Sequence, residues 1–217
     1  MLRILLITGL FAGLLTGAPA HAGPWLRGKG DVFLSFGTEI AENGEDGFYT
    51  LYGEYGLREW VTLGFDLGGS AEDLYKAVIF ARVPLRGKEG KIRLAFELGV
   101  GVKAEEPLLR PGLSIGRGFA VGDMSGWMAI DTTALIGAVR GYTEMNTDVT
   151  LGLNMSKRIK LMLQLQNGHH LTEPGYLKLA PSVVFERKPG QHFELGMLAG
   201  IKNAEDLALK LGLWQSF

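Results

Sequence analysis

The sequence predicts an all-β fold, a closed antiparallel transmembrane β-barrel, and three observations carry that prediction. Segments of about ten residues alternate apolar and polar side chains with a period of two, separated by short polar turns. The second face of these segments is small or charged rather than uniformly hydrophilic, as in Lys91–Lys103, where Ile92, Leu94, Phe96, Leu98, Val100 and Val102 alternate with Lys91, Arg93, Ala95, Glu97, Gly99, Gly101 and Lys103. Leu207–Phe217 repeats the pattern and stops on an aromatic residue. A soluble sandwich would also alternate, but this strand length with a small or charged second face suits a barrel that is apolar toward lipid and polar toward its lumen.

Taken in order, residues 1–22 come first. One early charge (Arg3), an apolar run from Ile4 to Leu15 and the small-residue site Ala20-His21-Ala22 read as a secretory signal peptide cleaved before Gly23. The apolar run is short of the ~20 residues a membrane helix needs. Cleavage would leave a single barrel domain over residues 23–217, that is 217 − 22 = 195 residues.

About twelve strands follow, with ten as the lower count. They are expected at 31–40, 48–57, 60–68, 74–85, 91–103, 109–119, 126–137, 144–155, 159–167, 176–186, 192–201 and 207–217. An even count puts both ends of the barrel on one side of the membrane, and closure removes the free edge that hydrocarbon would not tolerate. The connections on both sides are short, so no segment is long enough for a folded lid or a second domain.

Composition narrows the function classes. The chain has 32 Gly, no Cys and a formal net charge of −1. That leaves no disulfide framework and no basic face for nucleic acid. No cofactor or metal centre is expected.

Strand parity assigns a lumen set. Lys76, Arg82, Lys91, Arg93, Lys103 and Arg110 form a basic arc on three successive strands, with acidic arcs of Asp31, Glu39, Glu54 and Asp66 on one side and Asp131, Glu144 and Asp148 on the other. The later strands mix signs, with Glu194 and Lys210 among them. Segregated charge would set a transverse field across a narrow water-filled lumen; opposite charges could equally pair into a structural plug. Many inward positions, Gly53, Gly64, Gly116 and Gly152 among them, are glycine and are expected to leave space. Trp60, Trp127 and Trp214 fall at one mouth, as an interfacial girdle or, by parity, as an inward constriction.

The weak candidates for catalysis are His169 and His170, expected in a loop, with Ser70 as a nucleophile in need of a base and Asp73 or Glu173 as orienting acids. Nothing local joins them, and two exposed loop histidines is the simpler reading.

The spacing Lys210-x-Gly212-x-x-Gln215-x-Phe217 resembles the C-terminal assembly signal of Gram-negative outer-membrane β-barrels, with Gln215 departing from the hydrophobic residue usual there. With the signal peptide, the resemblance implies an outer-membrane address and a monomeric barrel handled by periplasmic chaperones and the barrel-assembly machinery. It further implies contact with outer-membrane lipids and lipopolysaccharide. The chain also looks similar to twelve-stranded porins that take up acidic sugars, which implies a narrow channel for small polar or anionic solutes. A lipid-modifying hydrolase and a closed structural barrel without transport are the alternatives.

Overall fold

A computed structural model describes residues 23–42, 47–86, 92–139, 141, 143–170, 173–204 and 207–217. Twelve strands run β1 Val32–Ala41, β2 Phe48–Arg58, β3 Val61–Gly69, β4 Leu74–Arg86, β5 Ile92–Lys103, β6 Glu106–Val121, β7 Met124–Gly137, β8 Thr143–Asn154, β9 Ile159–His170, β10 Glu173–Lys188, β11 Gln191–Lys202 and β12 Leu207–Ser216. Each pairs antiparallel with its neighbours in sequence, and β12 pairs with β1 to close the barrel. The rim carrying the start of β1 and the end of β12 is called lower here, and the opposite rim upper.

Period-two patterning explains the wall. Every strand turns apolar side chains outward, such as Phe36, Leu51, Leu63, Ile79, Val100, Leu113, Ile130, Val149, Leu163, Val183, Leu195 and Leu211, all exposed. A continuous apolar belt of this extent has no place in water. It makes the barrel a membrane-spanning one, with its backbone polar groups paired between strands.

The strands match the expected frames except at a few ends, and the count is twelve rather than ten. β6 begins three residues early because Glu106–Leu108 pair with Gly101–Lys103. Pro107 fits there since its carbonyl, the group it retains, accepts from Ala138 N at 2.9 Å. β9 extends through Gly168 to His170 because Glu144–Asn146 continue the ladder opposite it.

The glycines do something other than leave space. Gly64 faces Phe80, Gly152 faces Trp127 and Gly168 faces Tyr176 across inward-facing strand pairs. In each case the ring lies where a Cβ would project. Gly53 is on the opposite face from its expected one: its neighbour Glu54 points inward, so Gly53 faces lipid beneath Phe65. These contacts trade a side chain for close ring-to-backbone packing.

Candidate functional site: the barrel lumen

One wall of the lumen is a chain of alternating charges. Arg27 Nε lies 2.5 Å from Glu54 Oε2, and Arg82 Nη1 lies 2.6 Å from Glu54 Oε1. Arg82 Nη2 reaches Glu97 Oε2 at 2.8 Å, Glu97 Oε1 receives Arg110 Nη2 at 2.6 Å, and Arg110 Nη1 donates to Asp66 Oδ2 at 2.6 Å. Lys76 Nζ completes the series on Asp66 at 2.9 Å. Inward positions on β2 to β6 hold these groups at adjacent heights, apart from Arg27, which comes from the segment before β1, so each carboxylate meets two cations. Tyr52 donates its hydroxyl to Glu54 at 2.5 Å and stacks on Phe80, its ring centroid 5.7 Å away. Glu54, Arg82, Glu97 and Arg110 are all buried, which makes the loss of any one member costly.

The basic and acidic sets therefore interdigitate instead of occupying separate arcs. Glu97, which parity placed on the polar face of Lys91–Lys103 without assigning it to an arc, sits between Arg82 and Arg110 and neutralises the centre of the basic strip. Lys103 pairs with Glu144 across the lumen, Lys210 binds Glu194 at 2.9 Å, and Lys178 approaches Glu39 at 3.9 Å. Arg93 lies lower, lining a small cleft of about 70 Å³ with Pro24, Leu26 and Arg27. Lys91 lies outside the described residues.

The segment before β1 enters the lumen from below. Gly30 N donates to Gly56 O at 2.8 Å and Arg27 N to Thr62 Oγ1 at 2.9 Å, while the Arg27 guanidinium sits 4.4 Å over the Phe33 ring. Further in, Pro24 and Trp25 lie where a side chain at Gly116 would project, so this glycine is a docking seat and not open space. Gly23 reaches the middle of the barrel, where its carbonyl accepts from Arg82 Nη1 at 3.1 Å. Its φ of 91° lies in the region that glycine tolerates best. Asp31 stands at the exit of this segment, where its backbone carbonyl accepts from Gly56 N at 2.9 Å.

Above the segment lies a cavity of about 590 Å³. The charge ladder and Tyr52 bound it on one side; Asp131, Asn146, Asp148, Thr150, Gln164, Gln166 and Tyr176 bound it on the other. Its charged lining is Glu39, Asp66, Glu97, Asp131, Glu144, Asp148 and Glu194 against Lys76, Arg82, Lys103, Arg110 and Lys210, seven carboxylates to five cations. A net attraction for anions is therefore not built into this surface. Trp127 and Trp214 point inward and line the cavity; Trp214 packs edge-on against Phe33 with centroids 6.5 Å apart. Trp60 does not join them: it lies in the β2–β3 turn and is 59% exposed, because that turn interrupts the alternation that would have aimed it inward.

The catalytic candidates are not assembled. Ser70 sits after β3, where its hydroxyl oxygen accepts from the backbone N–H groups of Glu72 and Asp73 at 3.3 and 3.2 Å. His169 and His170 lie on the last two residues of β9, six strands away in a twelve-stranded ring and so on the opposite side of the barrel. They are strand residues, not loop residues, with His170 in register opposite Glu144. Among the described residues no group of three or more His, Asp or Glu side chains gathers as a metal centre.

Lumen and belt together define a twelve-stranded transmembrane β-barrel with a polar interior. The KdgM porin superposes with a TM-score of 0.64 at 8% identity, covering 85% of this chain and 99% of that one. The NanC porin gives 0.62 at 7% identity over 85% and 98%. An outer membrane channel from Pseudomonas putida F1 gives 0.55 at 9% identity over 92% and 99%. At these identities the likeness is one of fold. No protein-family model matches the chain, and no curated protein sequence does.

Proposed function

We propose that the protein is a narrow outer-membrane channel for small polar solutes, oriented with the lower rim toward the periplasm. The observation that carries this reading is the cavity's divided wall. One side is fixed by ion pairs, and the other offers the amides of Asn146, Gln164 and Gln166 and the hydroxyl of Thr150, groups that can exchange hydrogen bonds with a passing polar molecule. The KdgM porin has been solved in complex with oligogalacturonate, which supports sugar-like solutes as the class to test first. The excess of carboxylates in this lining favours neutral over acidic members of that class. Lipids and lipopolysaccharide would surround the belt, and the barrel-assembly machinery and periplasmic chaperones would deliver the chain, as its C-terminal strand suggests.

Planar-bilayer recording of the folded protein tests the proposal. Small discrete conductance steps are expected, with a reversal potential under a potassium chloride gradient on the cation-selective side. Folded protein that gives no steps would reject the channel. The occupied lower half of the lumen favours a second reading, a closed structural barrel, and the same silent recording would support it.

A further inference from the structure

Asp131 on β7 and Asp148 on β8 stand directly opposite each other in the strand register, both facing the lumen. Like charges in that position repel. Among the described residues neither forms an ion pair with a lysine, arginine or histidine; Asp131 takes a hydrogen bond from Ser114. The backbone that comes to them is Gly23. A carbon placed at its Cβ position would lie 3.0 and 3.1 Å from the two carboxylate oxygens of Asp131. The Gly23 nitrogen is two bonds from that point. On the other side Arg82 holds the Gly23 carbonyl. Gly23 is also the residue at which the sequence predicts signal-peptide cleavage.

We infer that cleavage before Gly23 creates an α-ammonium group that docks on the Asp131–Asp148 pair inside the lumen. Processing thereby supplies the counter-ion that fastens the segment Gly23–Gly30 across the lower half of the barrel. Before cleavage this nitrogen belongs to a neutral amide and cannot play that part; hydrolysis of the peptide bond by water leaves a carboxylate on Ala22 and an amine on Gly23, which takes up a proton. A side chain at Gly23 would compete with the amine for this place, because a Cβ there would crowd Asp131. The role is separate from transport, since it holds whether or not solute passes.

The test is amine footprinting of the mature protein isolated from outer membranes. Intact mass should give a chain beginning at Gly23. A water-soluble acylating reagent at pH 7 reacts with unprotonated amines, and an unconstrained α-amine outpaces lysine there because its pKa is about 8 against about 10.4. In the folded protein Gly23, read on the tryptic peptide Gly23–Arg27, should label about tenfold more slowly than in the urea-unfolded chain, the effect expected when a carboxylate holds an amine protonated, while exposed Lys29 should label at similar rates in both. Asp131→Asn should restore fast labelling at Gly23 with Lys29 unchanged. Asp148→Asn, which leaves the nearer carboxylate in place, should restore it partly and serves if Asp131→Asn does not fold. A mature chain beginning elsewhere, fast labelling of Gly23 in the folded wild type, or protection unaltered in whichever variant folds would each overturn the inference. None of these readouts depends on conductance.

Discussion

Phe217 and Val32 exchange two backbone hydrogen bonds, Phe217 N to Val32 O at 3.0 Å and Val32 N to Phe217 O at 3.2 Å. They fasten the lower end of the seam where β12 meets β1. The Phe217 ring, 53% exposed, lies on the lipid side and takes no part in those two bonds. Backbone closure and side-chain signalling are therefore separable. Phe217→Ala should refold in detergent at near wild-type yield but accumulate poorly in the outer membrane of cells. Removing residue 217 should impair both, by losing two seam bonds of about 1 kcal/mol each. Heat-modifiable mobility on gels and outer-membrane abundance are the two measurements.

Arg82 touches Glu54, Glu97, Tyr52 and the Gly23 carbonyl at once. Arg82→Met keeps much of the side-chain volume and removes the charge, leaving two buried carboxylates short of a partner. A loss of about 3–5 kcal/mol is expected from breaking a buried pair, measured by urea unfolding of the refolded barrel. Glu39→Gln, whose ion pair among the described residues is the longer 3.9 Å contact to Lys178, should change stability by less than about 1 kcal/mol.

Gly152 has the Trp127 ring where its side chain would be. Gly152→Ala should therefore destabilise by about 1–3 kcal/mol through overpacking, even though alanine suits a strand better than glycine does. The double variant Gly152→Ala with Trp127→Ala should recover part of the loss. Unfolding midpoints across this cycle read the coupling directly.

The segment Gly23–Gly30 fills part of the lower lumen. A chain refolded from Asp31 onward should show larger single-channel conductance than one refolded from Gly23, together with weaker discrimination between small and large neutral sugars in liposome swelling. Equal conductance in the two chains would mean that this segment does not limit the pathway.

The strand frames were legible because burial in a barrel wall repeats every two residues, and Lys91–Lys103 or Leu207–Phe217 announce that repeat without help from any neighbour. The ends of β6 and β9 were less so: Pro107 and Gly168 look like breakers, and only the partner strand reveals that each has a place in the ladder. Parity also put Arg82, Arg110, Asp66 and Glu54 inside. What it could not give was height. Whether Glu97 meets Arg82 and Arg110 depends on the stagger between neighbouring strands and the reach of long side chains, neither of which is written in a single strand. The entry of Gly23–Gly30 into the lumen was hidden for a related reason, since a segment without periodicity gives no sign of what it packs against. Gly56 and Gly116 were its nearest clues, two small residues on the inner face where the segment needs close approach.

The glycine and ring pairs settle an ambiguity that hydrophobicity leaves open. Sliding one strand past its neighbour by a single residue exchanges lipid and lumen faces and is rejected at once. Sliding it by two keeps every leucine outward and every charge inward, so the membrane cannot tell the right alignment from the wrong one. Phe80, Trp127 and Tyr176 can: a two-residue slip would drive each ring away from the bare backbone of Gly64, Gly152 or Gly168 and against a residue that carries a side chain, Thr62 or Asp66 for Phe80, Thr150 or Asn154 for Trp127, Gln166 or His170 for Tyr176. The three pairs act as keys cut for one lock, so that shape alone marks the alignment that charge and hydrophobicity leave open.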